Sequence, residues 1–122
     1  MIDLRHEFDR LTAIWSPHVV ARVDDHLVKV ARLAGDFVWH AHADEDELFL
    51  VVSGRLTIEF EDRPHVRLAP GQLAVVPRGV RHRPVASEPV EIVLVERAQT
   101  AHTGDVVVPG LTRSLEEQTS RA

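Results

Sequence analysis

The stretch from Val19 to Arg97 does most to limit what this 122-residue chain can fold into, because it is rich in valine and broken at short intervals by turn chemistry. β-Branched and aromatic residues favour the pleated, half-buried backbone of a strand, whereas Gly, Pro, Asp and Ser punctuate it. The breaks fall at Asp24-Asp25, Ala34-Gly35-Asp36, Ala43 to Asp46, Ser53-Gly54, Glu61 to Pro64, Ala69-Pro70-Gly71 and Arg78-Gly79. Strands are therefore expected near 19–23, 26–33, 37–42, 47–53, 55–61, 65–69, 73–77, 81–86 and 90–97. Leu56, Ile58 and Phe60 alternate with Thr57, Glu59 and Glu61, the pattern of a strand with one buried and one solvated face. Leu48 to Val52 and Ile92 to Val95 are apolar on both faces, so one face would line a core and the other meet a second sheet or another subunit. Many short antiparallel strands at this spacing read as an all-β, double-sheet jelly roll.

The flanks are different. Leu4, Phe8, Leu11 and Trp15 are spaced as one stripe of a helix with Asp3 as its N-cap, and Ser16-Pro17 would end it, since a residue before proline avoids the helical region. Residues 1–18 are thus expected to form an N-terminal helix that packs on the barrel or on a partner subunit, and residues 19–97 the barrel itself. Residues 98–122 would form a strap across the barrel and a tail, with a capping box at Ser114 to Glu117. The length suits a single domain with a real core. Without cysteine, neither disulfides nor thiolate chemistry are available. The net charge of −5 comes with no basic stripe, which argues against nucleic acid or an anionic membrane as partner. The charged start MIDLRHEFDRL and the lack of a long apolar run suggest a cytoplasmic protein.

Chemistry concentrates in two segments. His40 and His42 are two apart, so on an extended backbone they point to the same side and can grip one ion, with Glu47 following closely. His82 comes just past the turn at Pro77-Arg78-Gly79. Three imidazoles and a carboxylate suit one divalent transition metal (iron, manganese, nickel, zinc or copper) better than calcium or magnesium. On an octahedral ion, four protein ligands leave positions open for a small-molecule ligand. Asp44, Glu45 and Asp46 read as a solvated run, or else as a source of a base at the site mouth. His6, His18, His26, His65 and His102 are taken as ordinary surface or core histidines.

Gly35, His40-Ala-His42, Glu47 and Gly54, followed by Gly71, Pro77-Arg-Gly79 and His82, resemble the paired motifs of the cupin superfamily, in particular its small single-domain bacterial members labelled mannose-6-phosphate-isomerase-like. Gly35 stands one residue nearer His40 than in the usual pattern, and Ala86 replaces an asparagine that is not a ligand. The resemblance implies a double-stranded β-helix barrel, a homodimer, and His40, His42, Glu47 and His82 as metal ligands. It leaves activity open, because the superfamily includes isomerases, oxygenases, lyases, storage proteins and sensors. The chain has no tyrosine, which disfavours relatives that use one as acid or base near the metal. A metal-dependent dioxygenase or isomerase/lyase acting on a small metabolite remains, with a non-catalytic binding module as the alternative. Strand parity places Val38, Phe49, Val51, Pro84 and Ala86 around the ligand and turns Arg81 and Arg83 away from it, against a sugar phosphate.

Overall fold

A computed structural model describes residues 1–119. Helix α1 spans Leu4–Asp9, and the strands are β1 His18–Val23, β2 His26–Asp36, β3 Glu47–Ser53, β4 Leu56–Phe60, β5 Val66–Leu68, β6 Leu73–Val76 and β7 His82–Arg97, followed by helix α2 Leu115–Thr119. All pairings are antiparallel, with β1, β2, β7, β3 and β6 side by side in that order. The N-terminal part of β7 also pairs with β4, which carries β5 on its other side. Strand β7 therefore belongs to both layers and closes the jelly roll.

Two of the expected breaks do not interrupt the backbone. At Ala34-Gly35-Asp36 strand β2 runs on through a bulge, where the register against β7 slips between Leu33 and Gly35 and Gly35 takes φ +80°. A side chain is strained at that φ, so glycine takes the first paired position beyond the bulge. Opposite Ala34, the extra residues Ser87, Glu88 and Pro89 lie between the paired positions Ala86 and Val90, so the expected 81–86 and 90–97 strands are one bent strand. Pro89 has no N–H to give and sits where the ladder does not need one. The expected strand over 37–42 is not regular either: His40 and His82 form an isolated bridge, and Phe37 N donates to Pro84 O at 2.9 Å.

The N-terminal helix is shorter than its stripe. Asp3 caps it, accepting from the Arg5 and His6 amides, but the chain tightens at Arg10, whose amide donates to Glu7 O. Arg32 of β2 then draws off the C-terminal carbonyls, donating to Phe8 O at 3.0 Å and Leu11 O at 3.5 Å. Phe8 and Leu11 still bury themselves against Val30 and Val93 on the outer face of the sheet. Full burial of a side chain like Phe8 contributes about 2 kcal/mol. Trp15 instead turns inward at φ 55°, stacks on Phe37 with ring centres 4.6 Å apart, and donates its indole N–H to Ala34 O. The doubly apolar runs in β3 and β7 thus have one face in the barrel core and the other partly beneath α1. Among the described residues no helix is long and apolar enough to cross a membrane.

Helix α1 is pinned by Glu91, which accepts two bonds from Arg5 (2.8 and 2.7 Å), one from Arg32 (2.9 Å) and one from Ser53 Oγ (2.8 Å). The hydrogen bond from Arg5 leads the causes that hold the Glu91 carboxyl down to about 2, with Arg32 and Ser53 adding to it. An unfolded glutamate titrates near ~4.3. The stabilisation is complete above that value and is lost as pH falls from there toward 2. Urea unfolding will accordingly show Glu91→Gln losing less stability than wild type over that interval; parallel curves would mean that Glu91 contributes nothing to the acid limb.

Candidate metal centre

His40 and His42 sit on the irregular link between β2 and β3, Glu47 opens β3, and His82 opens β7. The backbones of His40 and His82 bind each other in both directions (3.0 and 2.9 Å), which sets their side chains next to one another. Gly79 N donates to His42 O, and Asp46 accepts from both the backbone and the guanidinium of Arg78. The turn before β7 is thereby fastened to the link. Asp46 serves as this clasp, while Asp44 is exposed.

All four side chains are buried, and their ligand atoms lie within 4.8 Å of one another. His42 Nε2 is 3.5 Å and His82 Nε2 3.6 Å from Glu47 Oε1. Neighbouring ligands about 2.1 Å from a shared first-row ion stand roughly 3 to 4 Å apart, so the spacing fits. The hydrogen bonding fits as well. His40 Nδ1 and His82 Nδ1 each donate to a backbone carbonyl, Val38 O and Val80 O, at 2.9 Å. That tautomer leaves each Nε2 as a bare lone pair. Both nitrogens of His42 and Nε2 of His82 are buried with no hydrogen-bond partner. Buried polar atoms are rarely abandoned, and an ion would satisfy these. Burial, reinforced by the neighbouring His82, lowers His40 to about 4 and keeps it neutral, as a metal ligand must be. Burial works against charge on His42 too, but the adjacent Glu47 outweighs it and raises that ring.

A cavity of about 30 Å³ adjoins the cluster, enough for about two waters. Its wall includes His40 and Glu47, apolar Leu33, Phe37, Phe49 and Leu94, and two polar groups outside the quartet, Glu96 and His102. Of the residues that parity turned inward, Phe49 and Pro84 line this cavity. Val51 and Ala86 lie in the closed core, against which the half-buried Val38 packs. Arg81 and Arg83 point away, toward Glu61 and Glu59.

Sequence reasoning missed Glu96, Lys29 and His102. Leu48 pairs with Val95 across β3 and β7, so Glu96 lies directly opposite Glu47 on the inward face. Two carboxylates so placed repel, and both line the same small cavity. Burial and the charge of Glu47 push Glu96 well up, so it holds the proton. Burial disfavours the Glu47 carboxylate, but its neighbours Glu96, His42 and His82 hold it well below the usual range. Lys29, on β2, donates to Glu96 at 2.7 Å. A signal existed: Lys29 and Glu96 share the parity of buried neighbours in otherwise apolar strands. His102 is pushed down to about 4, chiefly by burial, and its Nδ1 accepts from Arg113 N at 2.9 Å, leaving Nε2–H as a donor.

The segment after β7 crosses the site. Ala41 and Asp105 are joined twice, through Ala41 N to the Asp105 carboxylate and Asp105 N to Ala41 O, both at 3.0 Å. Gly104 lies so close that a Cβ there would sit 2.9 Å from His40 Cδ2 and against Ala41 O, at φ +60°. Gly104→Ala will therefore destabilise the fold by about 2 kcal/mol or lift the strap off His40. Urea unfolding with limited proteolysis checks this, and an unchanged midpoint with an unchanged digest would refute the tight approach.

A jelly-roll barrel with three imidazoles and a carboxylate gathered beside a small internal cavity defines a single-barrel domain that could hold a metal. The chain belongs to the cupin domain family, whose profile matches residues 26–96. It is similar to the uncharacterized protein YdbB of Bacillus subtilis (strain 168), 39% identical over 64 residues that cover 52% of this chain and 57% of YdbB. Among solved structures it is similar to a cupin-2 domain containing protein from Shewanella frigidimarina NCIMB 400, with 39% identity, a TM-score of 0.77, and coverage of 80% of this chain and 94% of that one. The NMB1881 protein of Neisseria meningitidis is also similar, with 29% identity, a TM-score of 0.73, and coverage of 80% and 98%.

Proposed function

We propose that this protein is a metal-dependent enzyme of the dioxygenase or isomerase/lyase type acting on a small metabolite, with one divalent transition metal held by His40, His42, Glu47 and His82. The observation that carries the reading is the set of orphaned imidazole nitrogens converging beside a cavity that also presents Glu96 and His102. Neither of those two groups is among the four candidate ligands. A buried carboxyl and an imidazole N–H near the cluster can orient a ligand's oxygen or accept its proton, which favours an enzyme over the alternative, a binding module. The metal would supply Lewis-acid or oxygen-binding chemistry. Phe37, Phe49 and Leu94 exclude water, and His102 Nε2–H would donate to a ligand oxygen. The narrow, mostly apolar wall selects a small or planar substrate and disfavours a sugar phosphate.

Elemental analysis of protein purified without a His tag tests this first. Bound iron with oxygen consumption would select the dioxygenase, and bound zinc, manganese or nickel without it the isomerase or lyase. A ligand that binds and returns unchanged would favour the module, and protein that refuses iron, manganese, nickel, copper and zinc would end the enzyme reading. The same proposal includes a homodimer, supported by Leu73 and Val75 of β6, which are 55% and 50% exposed beside Leu48 and Leu50. Leu73→Asp/Val75→Asp will shift a dimer to monomer in sedimentation, and an unaltered dimer would move the interface elsewhere.

A further inference from the structure

Four buried polar side chains stand in a row from the candidate metal centre to the C-terminal helix. Glu47 on β3 stands opposite Glu96 on β7, one step along from the Leu48–Val95 pair, and both carboxyls line the same cavity. Glu96 faces β2, where its direct partner is Leu27 and Lys29 is the diagonal neighbour on the same face. Lys29 Nζ donates to Glu96 Oε1 at 2.7 Å and to Gln118 Oε1 of α2. Gln118 in turn donates through Nε2 to Arg113 O at 3.0 Å, tying the row to the start of the last helix. Relative exposure is 5% for Glu47, 3% for Glu96, 0% for Lys29 and 2% for Gln118, so water screens none of these links. The rest of the inward face is apolar, and burying such a row against it is costly unless each member is held by the next.

From this geometry we infer that Lys29, Glu96 and Gln118 are positioning residues for Glu47, and that they couple seating of the C-terminal helix to metal affinity. The inference rests on the metal-site reading above. A ligating carboxylate binds well only when its unligated oxygen is oriented by an outer partner, and removing such partners lowers metal affinity about 10- to 100-fold. Here the outer partner, Glu96, is itself held in place by Lys29, and Lys29 spends one donor on a helix that is covalently remote from the site. Displacing Gln118 frees Lys29 to reorient, which loosens Glu96 and then Glu47. Coupling of this kind is reciprocal, so metal bound at Glu47 must hold the helix down by the same factor that the helix adds to metal affinity.

The experiment titrates zinc ion into metal-free full-length protein against a chromogenic chelator and follows amide hydrogen exchange of residues 115–119 with and without zinc. Glu96→Leu is expected to weaken zinc about 10- to 100-fold, whereas Glu96→Gln, whose amide can still donate to Glu47 and accept from Lys29, stays within about threefold of wild type. Gln118→Leu, read only in protein whose circular dichroism matches wild type, is expected to weaken zinc about fivefold or more, with zinc slowing helix exchange in wild type by a matching factor. Wild-type zinc affinity in folded Gln118→Leu, or exchange at 115–119 indifferent to zinc in wild type, would overturn the coupling and leave the metal site standing. A wild type that binds no metal at all would instead remove the metal-site reading and this inference with it.

Discussion

Saturating metal will raise the unfolding midpoint by about 10 °C, and a chelator will take that gain away. A ligand at about a hundred times its Kd stabilises the native state by about 2.7 kcal/mol when the unfolded chain does not bind it. Unfolding entropy of roughly 2 cal/mol/K per residue turns that into a shift of about 10 °C for a chain of 122 residues. The cluster is assembled from the link after β2, the start of β3 and the start of β7, so it does not survive unfolding and the binding energy becomes folding energy. His40→Ala/His82→Ala removes the two rings whose Nδ1 atoms are already anchored, and with them the shift. Differential scanning calorimetry with and without chelator decides it. If the double variant shows the same chelator-sensitive midpoint as wild type, the metal binds somewhere else.

The quartet was legible in the sequence because its geometry is local. His40 and His42 need only an extended backbone, and the Gly71, Pro77 and Gly79 turn chemistry announces the approach of His82. Strand β4 was legible from alternation, and β3, β5 and β6 from valine-rich runs between turn residues, for the same reason. The errors came from partners far away in the chain. Nothing near Asp9 says that Arg32 will take the helix's carbonyls, and nothing at Ala34-Gly35 says that Ser87 to Pro89 will bulge opposite and so turn an apparent gap into continuous strand. Lys29 and Glu96 were hidden by the same blindness. A charge inside an apolar strand is taken for a surface position unless register is known, and it is the Leu48–Val95 pairing that sets Glu96 against Glu47. Helix α2 was anticipated from its capping box, which forms with Glu117 N bonded to Ser114 Oγ and Ser114 N to Glu117 Oε1, but the buried end of Gln118 was not.

That buried row also makes the largest stability prediction. Lys29→Met alone is expected to destabilise the fold by about 3–5 kcal/mol, because it leaves the negative charge shared by Glu47 and Glu96 with no cation beside it in the core. Glu96→Leu alone should cost a similar amount by stranding the Lys29 ammonium, fully buried on β2. The double variant Lys29→Met/Glu96→Leu removes the ammonium together with the carboxyl it is bonded to and fills the space with apolar atoms, so neither is left without its partner and it should be more stable than either single variant. A paired buried charge gains little over a well-packed apolar replacement, whereas an unpaired one is severely penalised. The asymmetry separates this row from the Glu91 pair on the outer face, where Arg5 is half exposed and water can replace a lost partner. Urea unfolding of wild type, the two single variants and the double in metal-free buffer reads the coupling directly as a double-mutant cycle. Additive losses would show that Lys29 and Glu96 act independently, and the row would then be no more than four buried residues that happen to touch. A double variant that recovers most of the loss would show that one charge is kept in this barrel to answer another, and the carboxyl at the end of the row is Glu47.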